Sequence, residues 1–467
     1  MTERLKALPV KTYLIIFLAL PHILSLTLSA SSVETGFKVN SFILNDFMQT
    51  ALPANAKWSF SAVDIEKHKK LFNEGNAKDD SLTPGSIVKL FVTAAILDFN
   101  EKEKISLDTA ISHNGNIHDK KLIGNLYLKG SGNAFLSAED LNKAVYALLS
   151  KGITSIAGDI IIDNSLFAAE DFRKDFYGPA YSMPSPLGLD MHTVSIALSG
   201  EVPEIKLNPP NDSVRVNFNP QGKLGIRQID DATYEVSGNF SNRTKIRKRF
   251  PLRNPSAYAA GTFKTLLKEK GIEVEGVIKT GTVPSDAAAI YTVKSKDLKD
   301  IVRDVNNNSL NVMAENLLFI LGSKRYGAPG AKEKGILAIK EFLKGIGIQP
   351  DGITLSDGSG LSHSNRITSK NISNFLDKIT GKPWFDAFYY SLPRAGMDGT
   401  LKGIGYINER IRAKTGHLGD VYCLAGYIEK KNGKKVAFSY MVNVPGADLL
   451  WKENSRIFSF ISKIADE

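Results

Sequence analysis

Ser86 and Lys89 are the first residues along the chain whose types and spacing could do chemistry together. Residues three apart share one face of a helix, so the serine hydroxyl and the lysine ammonium would be neighbours. Serine is a poor nucleophile until a base takes its proton, and lysine can be that base when burial and nearby positive charge lower its pKa. The pattern Ser-x-x-Lys is short and also fits an ordinary surface helix, but it occurs only once in this chain.

A second polar group, Ser309 and Asn311, could complete such a site. A hydroxyl beside the first pair could carry a proton, and the amide could hold a substrate carbonyl. The pattern Ser-x-Asn is weak by itself, because it begins at four other serines and turn or cap chemistry explains any single match. It supports a function only together with the other groups.

The tripeptide Lys414-Thr415-Gly416 stands ahead of a segment whose composition predicts a strand. Beside a cleft, Lys414 could attract a carboxylate and Thr415 could hydrogen-bond it, while Gly416 would let a ligand backbone approach closely. An extended peptide could then add to this strand edge. The backbone N–H groups of Ser86 and His417 could together bind a developing oxyanion.

The same three residue types recur at Lys279-Thr280-Gly281. This copy precedes Ser309 and lies in a short stretch before Pro284, without a strong strand after it. We therefore predict a turn here, with no part in the site.

Periodicity along the chain predicts an α/β body that is divided by a long inserted region. Apolar residues repeat at helical spacing after Pro84 and over residues 140–149, 257–271, 298–326, 333–345 and 370–379. Strand patterns occur over residues 58–64, 156–163, 421–428 and 435–444. We predict a catalytic domain made of residues 31–104 and 276–467, with mostly β inserted structure over residues 105–275.

The N-terminus has the pattern of an export signal. A cationic stretch precedes an apolar run over residues 13–28, and small residues follow around Ala30. We predict a signal peptide over residues 1–30 that is cleaved near Ala30, with an uncleaved membrane anchor as the alternative. The exported protein would then lie in the periplasm or cell envelope.

The 467-residue chain carries a formal net charge of +10 on an ordinary globular composition, which excludes collagen-like, coiled-coil and disordered classes. A basic surface favours anionic partners. The densest charge run, residues 243–253, could associate loosely with wall polymers or a membrane surface, although a solvated strand face explains it as well. It lacks the aromatic partners of a nucleic-acid site, so we predict no nucleic-acid binding.

The sequence predicts neither a metal nor a cofactor. The seven histidines include no pair at the four-residue spacing of a zinc protease, and no carboxylate cluster completes a site. The glycines form neither a phosphate loop nor a dinucleotide fingerprint. The single cysteine, Cys423, excludes an intramolecular disulfide and is predicted to be a small buried hydrophobic residue.

Taken in order, the three groups resemble the active-site motifs of the penicillin-binding and serine β-lactamase superfamily. Longer strings are similar to the D-Ala-D-Ala carboxypeptidase/endopeptidase family, the class C low-molecular-mass penicillin-binding proteins. Five strings carry this resemblance in the expected order: Leu82–Leu90, Gly158–Phe167, Asp357–Ser362, Gly396–Leu401 and Lys414–Leu418.

The resemblance implies a fold and a role for each motif residue. The fold would be a split β-lactamase/transpeptidase-like catalytic domain, an antiparallel sheet flanked by helices, with a large mostly β insertion between the first and second motifs. The implied roles are nucleophile for Ser86, base for Lys89, proton relay and substrate anchor for Ser309 and Asn311, and carboxylate binding for Lys414 and Thr415.

Three places depart from the family pattern. His363 stands where the family has an arginine, Asn133 and Ala134 replace an Asp-Pro pair, and His417 replaces a small hydroxyl residue. His417 would narrow the mouth of the cleft or add a titrating group there. His363 would remove any role of that arginine in gripping the substrate, Asn133 and Ala134 would alter a turn, and His417 could change the choice of substrate.

We interpret the chain as an exported DD-peptidase that cleaves peptidoglycan stem peptides through an acyl-enzyme on Ser86, with β-lactams as covalent inhibitors. Carboxypeptidase and endopeptidase cleavage are not separated, because both break a D-Ala amide at the same serine. One alternative is a serine β-lactamase or D-amino-peptidase of the same superfamily, although the insertion argues against a simple β-lactamase. The other is a non-catalytic protein that binds wall peptides, against which the complete set of motif residues argues.

Overall fold

The computed structural model describes residues 42–466, apart from residues 43, 47, 49, 51, 170–180, 200–203, 240, 242–244, 405–407 and 447–454. The predicted signal peptide lies outside the described residues. Within them, no helix is both long enough and apolar enough to cross a bilayer.

The helices in chain order are α1 (Val88–Lys102), α2 (Ala138–Ser150), α3 (Pro255–Glu269), α4 (Leu298–Asn308), α5 (Asn311–Tyr326), α6 (Lys332–Gly345), α7 (Ser369–Lys378), α8 (Phe385–Ser391) and α9 (Ser455–Asp466). Short 3-10 turns occur at Gly85–Ile87, Ile379–Gly381 and Gly399–Leu401.

The strands in chain order are β1 (Lys57–Asp64), β2 (Lys69–Glu74), β3 (Thr109–His113), β4 (Asn116–His118), β5 (Lys121–Ile123), β6 (Leu126–Lys129), β7 (Ser155–Ile156), β8 (Ile160–Asp163), β9 (Thr193–Ser199), β10 (Glu204–Asn208), β11 (Arg215–Asn219), β12 (Gly225–Gln228), β13 (Thr233–Ser237), β14 (Lys245–Pro251), β15 (Glu273–Val274), β16 (Ile278–Thr280), β17 (Ala288–Val293), β18 (Ile411–Leu418), β19 (Val421–Glu429) and β20 (Lys435–Asn443).

One antiparallel sheet has the strand order β18-β19-β20-β1-β2 and lies within the segments that we predicted to form the catalytic domain. Alternate residues of β19 enter two different cores, because successive side chains of a strand point to opposite faces. Cys423 and Ala425 pack in the core that contains residues of α1 and α5, whereas Tyr422 and Leu424 pack in the core that contains residues of α9. Cys423 is fully buried, as predicted.

Helix α1 lies inside the domain and is buried without interruption from Val88 to Leu97. A helix that is apolar all round is a buried helix, and within this run Lys89 is the only charged residue. The fold therefore holds the Lys89 ammonium at a place from which water is excluded.

The strands between α1 and α4 form separate sheets, with the orders β16-β8-β6-β3-β17, β15-β7-β5-β4, β10-β9-β14 and β11-β13-β12. β17 pairs with β3, so this largely β region continues to Val293, past residue 275 where we predicted its end.

The turn predicted at Lys279 is wrong, because residues 278–280 form β16. This strand pairs in parallel with β8 at one edge of an inserted sheet. The Nζ atom of Lys279 lies 2.6 Å from Asp159 Oδ2. We also predicted that this tripeptide takes no part in the site. Its place in the inserted region agrees with that prediction.

Candidate active site

Ser86 lies in the 3-10 turn Gly85–Ile87, which leads directly into α1. Gly85 has a φ of +53°, and a side chain there would press against the backbone of Gly416 and His417. The turn therefore requires glycine both for its backbone conformation and for the close approach of β18. Ser86 is partly exposed while Gly85 and Ile87 are buried, so Ser86 is the residue of this turn that solvent reaches.

The Lys89 side chain is fully buried and points back to the serine. Its Nζ atom donates to Ser86 Oγ at 2.8 Å, to Asn311 Oδ1 at 2.8 Å and to the Ser359 carbonyl oxygen. Burial lowers the pKa of Lys89 to about 7, against the opposing attraction of two carboxylates. A lysine with this pKa is partly uncharged near neutral pH and can accept the serine proton.

Ser309 lies between α4 and α5, where we predicted one continuous helix over residues 298–326. Its backbone is left-handed, with φ +57° and ψ 42°, which costs about 1–2 kcal/mol for a residue with a side chain. The interruption brings Ser309 Oγ to 2.9 Å from Lys414 Nζ and starts α5 at Asn311, whose side chain reaches Lys89. The apolar pattern continues across the break, so periodicity could not reveal it.

Lys414 is fully buried in β18, and its Nζ atom also donates to the Thr415 carbonyl oxygen at 2.8 Å. Burial lowers the pKa of Lys414 well below its ordinary value, and the nearby positive charge of Lys89 lowers it further. The Ser309–Lys414 pair therefore lies near enough to the Ser86–Lys89 pair for the charges of the two lysines to interact.

The outer strand of the central sheet, β18, carries four of the predicted substrate-binding residues, and the fifth, Asn311, begins α5. Thr415 Oγ1 donates to Thr400 Oγ1 at 2.8 Å, a partner that the sequence did not reveal. A side chain at Gly416 would overlap the Pro84 carbonyl oxygen. The backbone that approaches this glycine closely is therefore that of the protein itself, at Pro84. His417 is exposed at the end of this segment.

Two buried carboxylates complete the surroundings of Lys89: Asp357 lies in one of the motif strings, whereas sequence reasoning gave Glu315 no role. Asp357 and Glu315 are 3% and 1% exposed, so both are withdrawn from bulk water. Asp357 accepts hydrogen bonds from the backbone N–H groups of Gly360 at 2.8 Å and Ser362 at 2.7 Å. An acidic residue within a mostly apolar stretch of a helix, as Glu315 is within residues 312–321 of α5, was the available signal.

His363, which stands at a departure from the family pattern, is not part of the hydrogen-bonded set around Ser86. Its Nδ1 atom lies 3.8 Å from Asp420 Oδ1, and both side chains are partly exposed. Arg366 follows three residues later and donates to Thr83 Oγ1 at 2.8 Å and to the His363 carbonyl oxygen. Within the described residues, no group of three or more His, Cys, Asp or Glu side chains could hold a metal ion.

A partly exposed serine beside a buried lysine, a second serine–lysine pair and an outer strand next to them are the arrangement typical of a serine acyl-transfer enzyme. The model of the D-Ala-D-Ala carboxypeptidase 3 (S13) family matches residues 44–457. The chain therefore belongs to this family of serine DD-peptidases, which confirms the class predicted from the motifs.

Relatives and solved structures agree with this assignment. The chain is 27% identical to the D-alanyl-D-alanine carboxypeptidase DacB of Haemophilus influenzae, over 90% of this chain and 92% of the relative. It is 28% identical to a D-alanyl-D-alanine carboxypeptidase of an Actinomadura species, over 82% and 76% of the two chains. The crystal structure of penicillin-binding protein 4 (dacB) from Haemophilus influenzae superposes with a TM-score of 0.76 at 26% identity, covering 90% of this chain and 98% of that one. The predicted fold class is confirmed.

Proposed function

We propose that Ser86 is the nucleophile of this DD-peptidase and forms the acyl-enzyme with the penultimate D-Ala of a peptidoglycan stem peptide. The observation that carries the proposal is the fully buried Lys89 Nζ atom, 2.8 Å from Ser86 Oγ. Uncharged Lys89 takes the proton as Ser86 Oγ attacks the carbonyl carbon. The terminal D-Ala amine leaves with a proton, and water then hydrolyses the ester.

The second serine–lysine pair supports the proton path of the proposed reaction. Ser309 Oγ lies 2.9 Å from Lys414 Nζ, and Asn311 links the start of α5 to Lys89. A proton taken from Ser86 can be passed through Ser309 to the leaving amine. Asn311 also has an amide N–H group to offer to the substrate, since only its oxygen is engaged with Lys89.

The backbone N–H groups of Ser86 and His417 are the proposed oxyanion donors. The Gly85–Ile87 turn and the Gly416 segment of β18 are in direct backbone proximity. Lys414 and Thr415 would hold the terminal carboxylate of the substrate, with Gly416 allowing β18 to approach the Ser86 turn. The negative charge that develops on the oxyanion in the transition state is stabilised more strongly when it lies against buried donors.

The proposed substrate class is supported by what similar proteins are named as and by this geometry. Two relatives are named D-alanyl-D-alanine carboxypeptidases, and a Haemophilus influenzae penicillin-binding protein 4 structure, with a TM-score of 0.74 and 25% identity, is described as complexed with a β-lactam. We propose that β-lactams acylate Ser86 as mimics of the D-Ala-D-Ala end. Carboxypeptidase and endopeptidase cleavage would use the same serine.

We also propose that the protein is exported and associates loosely with anionic wall polymer or membrane surface. Along β14, Lys245, Arg247 and Arg249 share one face of the β10-β9-β14 sheet by strand alternation, and all three are exposed. Exposed like charges of this kind attract polyanions in a salt-dependent manner. Co-sedimentation with purified sacculi and with anionic vesicles, at low and at high salt, tests this association. It would be contradicted if the fraction of protein that sediments were the same with sacculi or vesicles as it is without them.

The reaction is tested by incubating the protein with defined monomeric and cross-linked muropeptides. Wild-type protein should release D-Ala or separate the cross-link, and Ser86→Ala should do neither. Ser364→Ala, which changes an exposed serine near the Asp357 turn, is the matched control and should retain activity. Rapid steady hydrolysis of benzylpenicillin without muropeptide cleavage would instead favour a β-lactamase.

A further inference from the structure

Glu315 lies one helical turn after Asn311 in α5, with 1% of its surface exposed. A buried carboxylate is costly unless hydrogen-bond donors satisfy it. Its Oε1 atom accepts from the backbone N–H of Ser359 at 2.7 Å, and both carboxylate oxygens accept from the backbone N–H of Gly358 at 3.1 Å. Glu315 therefore binds the backbone of the Gly358–Ser359 turn directly.

The same turn carries an acceptor for the catalytic base. The Ser359 carbonyl oxygen accepts from Lys89 Nζ, and it lies 3.4 Å from Ser86 Oγ. Across the turn, Gly360 packs so closely on the Gly85 carbonyl that a side chain there would overlap it. The position of the Ser359 carbonyl therefore affects both members of the serine–lysine pair.

We propose that Glu315 is a positioning residue for Lys89: it fixes the Gly358–Ser359 turn, whose carbonyl oxygen orients the lysine amine toward Ser86. Hydrogen bonds join Glu315 to the turn and the turn to Lys89, so the turn transmits the effect of Glu315 on the lysine. This inference rests on the proposed role of Ser86 and Lys89 and adds a residue that supports them.

The charge of Glu315 has a second effect on the same base. Lys89 faces Glu315 from α5, Asp357 from the turn and Lys414 from β18. Burial lowers the pKa of Lys89, while the charges of the two carboxylates, Asp357 and Glu315, act in the opposite direction and raise it. Removing the charge of Glu315 should therefore lower the pKa of Lys89 and leave more of it uncharged at a given pH.

Two substitutions separate the two effects. Glu315→Gln keeps the side-chain length and an oxygen for the Ser359 N–H, but removes the charge. Glu315→Asp keeps the charge but withdraws the carboxylate from the turn by about one C–C bond length. Glu333→Gln, at an exposed residue of α6, is the control for loss of one negative charge.

The measurement is the acylation rate constant with a fluorescent penicillin as a function of pH, together with thermal unfolding of each variant. Glu315→Asp should acylate more slowly on the order of a hundredfold, because small misplacements of catalytic groups cost about that much. In Glu315→Gln the acid limb of the profile should move to lower pH, while the plateau falls by less than about tenfold. Glu333→Gln should match wild type.

Wild-type acylation by a folded Glu315→Asp variant would overturn the positioning role. An unchanged acid limb in Glu315→Gln would overturn the effect of the Glu315 charge on Lys89, and this second test holds even if Glu315→Asp fails to fold. The wild-type protein separates this inference from the proposed function: if wild type itself is not acylated at Ser86, the proposed function fails, whereas an acylated wild type with indifferent Glu315 variants removes only the role of Glu315.

Discussion

The Nζ atom of Lys89 lies 2.8 Å from the Oγ atom of Ser86, and both belong to the first two turns of one helical segment. The lysine is completely buried, which lowers the pKa of its amine to about 7. A contact of this length, between the proposed nucleophile and an amine whose pKa lies near neutral pH, allows the proposed proton transfer. The predictions below follow from this pair and its supports.

Replacing Lys89 with arginine separates the role of a base from that of a positive charge. Arginine keeps the charge but does not lose its proton in proteins, so acylation should fall by roughly 10²–10⁴-fold. Lys89→Met should be as slow, because it also lacks a base. Acylation by a fluorescent penicillin checks this, with Lys102→Arg at the exposed end of α1 as the control. A wild-type rate in Lys89→Arg would show that no base is needed there.

The acylation rate should depend on pH with an apparent pKa of about 7. Only the uncharged amine accepts the serine proton, so the rate should fall about tenfold for each unit below this pKa and level off above it. Stopped-flow acylation on both sides of pH 7 measures the profile, and thermal unfolding at each pH shows whether the fold persists. A flat profile in folded protein would exclude Lys89 as the titrating base.

Thr415→Val should weaken binding of a peptide that ends in a free carboxylate. Valine preserves the shape but loses the hydroxyl, and a hydrogen bond to a charged group contributes about 1.5–3 kcal/mol. We expect KM for a D-Ala-D-Ala peptide to rise by about tenfold or more. The same peptide with a C-terminal amide is the internal control, and its kinetics should change much less. Equal changes for both peptides would remove the carboxylate role from Thr415.

Gly360→Ala should both destabilise the protein and slow acylation. Gly360 has a φ of +82°, and an added Cβ would overlap the Gly85 carbonyl beside Ser86. The left-handed backbone alone costs about 1–2 kcal/mol for alanine, and the overlap adds to this. Gly345→Ala, where an added Cβ meets no neighbour, is the control in thermal unfolding and acylation assays. Equal behaviour of the two variants would contradict the packing of the turn on Ser86.

The family, the fold class and the assembly of the motif residues could be predicted because the residues of each motif lie close together in the sequence. Ser86 and Lys89 are adjacent by helical spacing, and Lys414 with Thr415 lie on one strand. The motifs come together only through the fold, as in the contact between Lys414 and Ser309, which are 105 residues apart. The order of the motifs along the chain resembles that of a known family, and this resemblance allowed their assembly to be predicted without knowledge of the distances between them.

Other features could not be predicted because they depend on backbone geometry or on distant contacts. The break at Ser309 leaves the apolar periodicity intact, so α4 and α5 looked like one helix. Glu315 binds the turn at Ser359, 44 residues away, and Thr400 meets Thr415 across 15 residues. Lys279 lies in β16, which pairs with β8, although the segment around Lys279 has the composition of a turn.

The most direct test of the account is peptide-level mass spectrometry after incubation with benzylpenicillin. We predict a single covalent adduct on the proteolytic peptide that contains Ser86, absent from Ser86→Ala and retained in Ser364→Ala. Folded wild-type protein that forms no adduct, or forms one at a different residue, would contradict the assignment of Ser86 as the nucleophile.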